Sequence, residues 1–157
     1  MHDREFVQAF EACTLPPAQF PHRAHVRLAW LYLREHPLLE TLTRYSHGIR
    51  RYATSFGASA KYHETITWAY LFLIHERMQA ADHSTFEDFA NANEDLFGPV
   101  LDRYYSRETL ESELARTTFV LPDRGTLASS PARGGGSPPG QPPGRRRSAV
   151  TGSPRRG

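Results

Sequence analysis

The stretch Lys61-Tyr62-His63-Glu64-Thr65-Ile66-Thr67-Trp68-Ala69-Tyr70, continued by Leu71-Phe72-Leu73-Ile74, decides the fold. Ile66, Ala69, Tyr70, Leu73 and Ile74 recur at helical spacing, which predicts one helix from about Ala60 to about Gln79. No other part of the chain is as apolar, so this helix belongs at the centre of whatever the chain builds. Its head carries a different chemistry: Tyr62, His63, Glu64 and Thr67 bring hydroxyl, imidazole and carboxylate groups to the mouth of an apolar element.

Working outward, the neighbours read as helices too. Phe6, Val7, Phe10 and Cys13 mark a first helix over Asp3 to about Thr14, ended by Leu15-Pro16-Pro17. Pro21 suits a first helical turn, and the next helix runs to about His36, with Pro37 as its stop. Leu38, Leu42, Tyr45, Ile49, Tyr52 and Phe56 give a third helix, closed by Gly57 as a left-handed C-terminal residue. Ser84-Thr85-Phe86-Glu87 has the spacing of a capping box and opens a fifth. A short helical segment over Leu96 to Tyr104 follows. Ser106 caps a last helix with Leu110 and Leu114 facing inward, and Phe119-Val120-Leu121-Pro122 is an apolar strap closing the core. No run alternates with a period of two. The expected class is all-α, a compact bundle of about five to seven helices.

Composition divides the chain of 157 residues in two. Eight of the 11 glycines and six of the 12 prolines follow Asp123. Residues 1–122 read as the helical domain. Residues 123–157 read as a disordered Gly/Pro/Arg/Ser-rich tail, because they hold too little apolar surface to offset the entropy of ordering them. The tail also holds seven arginines against one aspartate, so the overall +2 hides a helical part of about −4. Nucleic-acid binding is therefore not expected of the domain, and only weakly of the tail, where no aromatic residue is interleaved for stacking. The tail's abrupt bias also fits an altered reading frame in GC-rich DNA. The single cysteine, Cys13, excludes an internal disulfide and a thiolate metal cluster. The charged N-terminus and the shortness of the apolar runs point to a cytoplasmic protein with no membrane partner.

The candidate site has two halves. In the second helix Arg23, Arg27 and Arg34 share one stripe, and at about 100° per residue His25 lies roughly 160° from Arg27, with His22 within about 60° of His25. Both histidines face the core. The fourth helix supplies His63 and Glu64. His63-Glu64-Thr65-Ile66 is followed by Thr67 and His75-Glu76-Arg77-Met78 by Gln79, so the His-Glu-x-x-His pattern of zinc proteases is absent. No glutamate has a histidine three residues later, which excludes the usual di-iron bundle.

Two chemistries survive. His22, His25 and His63 are candidate ligands for one divalent metal such as zinc or iron, with a position left for water or substrate. The same groups can act without metal on a small-molecule substrate, with His63 as general base and Glu64 as a catalytic residue that orients another histidine or the substrate. Arg23, Tyr62 and Thr67 are the candidate substrate-binding residues. The competing reading is a non-catalytic interaction protein in which the His/Glu cluster is structural.

Phe20-Pro21-His22-Arg23-Ala24-His25, Tyr62-His63-Glu64-Thr65 and Phe119-Val120-Leu121-Pro122-Asp123 together resemble a small bacterial family of uncharacterised helical proteins. The likeness spans about Phe6 to Asp123. It implies a helical fold and brings no activity, cofactor or catalytic residue.

Overall fold

A computed structural model describes residues 1–125, which lie in one compact unit, Met1–Thr126. The expected disordered tail otherwise lies outside the described residues. Seven α-helices and no strand occur among the described residues: α1 Asp3–Glu11, α2 His22–Glu35, α3 Leu38–Ser55, α4 Glu64–Ala80, α5 Phe86–Ala92, α6 Arg107–Glu111 and α7 Glu113–Thr117. The protein is an all-α bundle. No helix among the described residues is long and apolar enough to cross a membrane.

Helix α4 holds the centre, packed against α2, α3 and α7. Its Leu71 and Ile74 are fully buried, and they meet a core that includes Phe10, Leu28, Trp30, Phe89, Leu96 and Tyr105. Each such side chain contributes about 1.5–3 kcal/mol by leaving water. Gly48 of α3 lets α1 come close: a Cβ there would stand 2.9 Å from Phe10 Cε1.

The helix ends follow local chemistry, and several differ from the periodic reading. Helix α1 stops at Glu11, short of Thr14, because Cys13 takes a left-handed φ of 54° and the amides of Thr14 and Leu15 both turn back to the Ala9 carbonyl. Gly57, at φ 65°, ends α3 as expected. Helix α4 starts four residues later than Ala60, since His63 caps it and Ser59–Lys61 forms a separate 3-10 turn. Thr85, and not Ser84, caps α5 by accepting from the Asp88 amide. The segment after it is two 3-10 turns, Glu94–Phe97 and Val100–Arg103.

The single last helix divides into α6 and α7 because Ser112 adopts an extended backbone and caps a second start. That break turns Leu114 outward, 63% exposed, and puts Ala115 in the core instead. The strap is only partly apolar cover: Phe119 stacks on Trp68 at 5.5 Å, and Leu121 is exposed. Polar bonds fasten the rest. Asp123 accepts from the Ser106 amide and the Thr109 hydroxyl, and the Arg124 amide donates to the Tyr104 carbonyl, so the fold holds the chain past Pro122.

Candidate functional site

Helices α2, α3 and α4 leave a cavity of about 310 Å³ between them. It is lined by His22, His25 and Val26 from α2, by Tyr45 and Ile49 from α3, and by Ile66, Thr67, Tyr70 and Ile74 from α4, with Lys61, Tyr62 and His63 at the α4 entry. The two halves read from the sequence thus meet at one place. Five of the expected site residues line it: His22, His25, Tyr62, His63 and Thr67.

The three imidazoles are not equivalent. His63 is the N-cap of α4: its Nδ1 accepts from the Ile66 amide at 3.2 Å. Its Nε2 lies 2.8 Å from the Leu110 carbonyl oxygen, which can only accept, so Nε2 carries the ring proton and donates it. Both nitrogens are committed to holding the fold, and neither is left for a metal or a substrate proton. His22 Nε2 likewise donates to the Leu96 carbonyl at 2.8 Å, which leaves its Nδ1 lone pair unused. The His22 ring meets Tyr70 edge-on at 4.8 Å.

His25 is the exception. Its ring packs on Phe20 with centroids 4.0 Å apart, and among the described residues its nitrogens bond to nothing. No fully buried side-chain nitrogen or oxygen of the described residues lacks a partner, so the His25 nitrogens are reachable, and the residue lines the cavity. Burial, and then the neighbouring His22, bring its pKa down to about 4. The ring is neutral at physiological pH. Its backbone carbonyl is held by the Tyr45 hydroxyl at 3.1 Å, which fixes this turn of α2 against α3.

Glu64 does not line the cavity. Its Oε2 accepts from Arg50 at 2.6 Å and from the Tyr62 hydroxyl at 2.5 Å, while the Arg50 guanidinium lies 4.5 Å from the centre of the Tyr62 ring. Burial and the Glu64 hydrogen bond push the Tyr62 hydroxyl pKa up. The expected role of Glu64 in orienting another histidine or a substrate is therefore not served here, because Arg50 and Tyr62 engage its carboxylate outside the cavity. Arg23 is also away from the cavity: it faces outward, bonds Glu87 at 2.6 Å and lies over the Phe86 and Phe97 rings.

The expected triad of metal ligands is not assembled. Among the described residues no group of three His, Cys, Asp or Glu side chains is placed to hold a metal ion. His22 and His25 remain as two imidazoles on one face of α2, one short of the three protein ligands of a catalytic zinc site.

Sequence reasoning missed Tyr45, Ile49, Ile66 and Tyr70 as site residues. Their helical spacing marks an inward face, and a cavity wall has the same periodicity as a filled core. Lys61 also lines the cavity. A lone lysine at the foot of a helix has no sequence signal beyond its position. Comparison of the chain with protein-family models, with curated proteins and with solved structures finds no match.

Proposed function

We propose that the protein binds a small organic molecule in the cavity between α2, α3 and α4, and that His25 exchanges a hydrogen bond or a proton with it. The supporting observation is the His25 ring itself, unpartnered and open to an otherwise mainly apolar cavity. A neutral imidazole offers one donor and one lone pair, and a positioned group of this kind contributes about 10²–10⁴-fold to a proton-transfer step. Thr67, Tyr70 and the free Nδ1 of His22 add the few polar groups that orient a ligand in an apolar pocket.

The reading moves the acid/base role from His63 and Glu64 to His25. Metal-free chemistry suits the donor set better than zinc or iron, since a third imidazole from His63 would come at the loss of at least the Ile66 cap of α4. The same reading takes the protein as a cytoplasmic one, with the free thiol of Cys13 in a reducing compartment. A non-catalytic interaction protein is the second reading, supported by the structural engagement of His63 and Glu64.

Histidine and tyrosine side-chain NMR during a screen of single-ring fragments tests the proposal. Fragments that shift the His25 and Tyr70 resonances, and fail to do so in a Thr67→Phe variant with the cavity filled, support it. A screen in which no fragment shifts His25, or in which Thr67→Phe makes no difference, removes the small-molecule reading and leaves the interaction protein.

A further inference from the structure

We infer that the cavity's ligand is a small organic anion, a flat single-ring body carrying a carboxylate held at the mouth by Lys61. The inference rests on the small-molecule reading above and names the ligand class for the same site.

The charge around the cavity carries it. Among the described residues no aspartate or glutamate lines the cavity, and Lys61 is the one charged residue that does. Lys61 is exposed and, among the described residues, makes no ion pair or side-chain hydrogen bond. Its nearest carboxylate in sequence, Glu64, is already held by Arg50 and Tyr62 and stands outside the lining. A second positive group sits behind it: Arg116 of α7 reaches back to donate to the Ala60 carbonyl at 3.1 Å, bringing a guanidinium to the residue next to Lys61. A single unpaired lysine at the rim of neutral walls, with Glu64 occupied by Arg50 and Tyr62, favours an anion over a cation at that point of the mouth.

The walls supply the shape. Tyr45, Tyr62 and Tyr70 contribute rings, and Ile49, Ile66 and Ile74 contribute branched aliphatic faces. A volume of about 310 Å³ is at the small end of ligand pockets, suited to one ring and not to a nucleotide. With the carboxylate at Lys61, the ring enters toward His25, where a donor or acceptor on it meets the imidazole. No bond is made or broken in this proposal.

Benzoate and its neutral relative benzyl alcohol are the probes, titrated into the full chain with histidine and tyrosine side-chain NMR as the readout. Benzoate is expected to bind about fivefold tighter than benzyl alcohol, as a solvent-exposed ion pair allows. Lys61→Met is expected to abolish that preference while leaving benzyl alcohol unchanged, and Lys61→Glu to reverse it in favour of benzylamine. Equal binding of both probes to the native protein, or a benzoate preference that survives Lys61→Met, overturns the anion inference and leaves the small-molecule reading standing. Failure of every probe to shift His25, in the native protein and in the Lys61 variants, overturns the inference together with the reading beneath it. Lys61 is exposed, so these variants are expected to keep the native melting temperature.

Discussion

His25 and His63 reach the same cavity from facing helices, yet one ring is fully bonded and the other bonds nothing. His63 stands at a helix start that is fastened on every side: it caps α4, ties to Leu110, and is followed by Thr65, whose hydroxyl donates to the Thr118 carbonyl and accepts from the Val120 amide. His25 sits in the first turns of α2, whose N-cap is Pro21 and whose first turn has no capping side chain. The same residue type is thus a structural fastener in one place and an available chemical group in the other. What separates them is the completeness of their hydrogen bonding, and burial runs in the same direction, since His63 is 8% exposed and His25 only half-buried.

That contrast can be broken by substitution. The largest effect is expected at Thr65, which is fully buried. Thr65→Val leaves the Thr118 carbonyl and the Val120 amide without their partner and should cost about 3 kcal/mol in urea denaturation. His63→Ala comes next, at about 2 kcal/mol, from a lost cap and an unpaired Leu110 carbonyl. His63→Asn should recover the cap and hence about half of that loss; an Asn variant no better than Ala would show that the cap is not what His63 supplies.

Glu64→Gln should cost only about 0.5 kcal/mol, because its Arg50 partner is 48% exposed and screened by water. A loss comparable to that of His63→Ala would restore Glu64 to a central role. The smallest effect at neutral pH belongs to His25. His25→Phe removes no side-chain hydrogen bond among the described residues and keeps a ring against Phe20, so its stability should lie within about 0.5 kcal/mol of the native protein, while fragment binding is lost.

Acid sharpens the same contrast. The His25 pKa is lowered from 6.5 to about 4 in the fold, so between these values the unfolded chain binds a proton that the native protein does not. Stability from this group is therefore complete above pH 6.5 and declines as pH falls toward 4. His25→Phe should flatten that part of the stability profile. An unchanged slope, or a His25 resonance that titrates near 6.5, would mean that the ring is solvated and not held neutral.

The helices were legible in the sequence, and so was the turn of His22 and His25 away from the arginine stripe of α2, because apolar spacing fixes it. Rotation of the head of α4 was not. His63 and Glu64 are adjacent, and choosing between them needs the position of the Leu110 carbonyl, 47 residues on, and of Arg50 on a separate helix. Leu114 shows the same limit at a smaller scale: its spacing from Leu110 is helical, and a single extended residue at Ser112 cancels it. The role of Arg23 could not be read because its partner, Glu87, is 64 residues away.

The fastening of α4 also has a consequence in time. Thr65 waits for Val120, a separation of 55 residues, which at translation rates of about 5–20 residues per second amounts to roughly 3–11 s. During that interval a nascent chain already holds α2 and α3 and completes α4, with Trp68 and Phe72 still without the Phe119 ring that later packs on both. This outer face of α4 is therefore among the last parts of the body to mature, and a chaperone that shields apolar surface would find Trp68 and Phe72 more open during those seconds than in the finished fold.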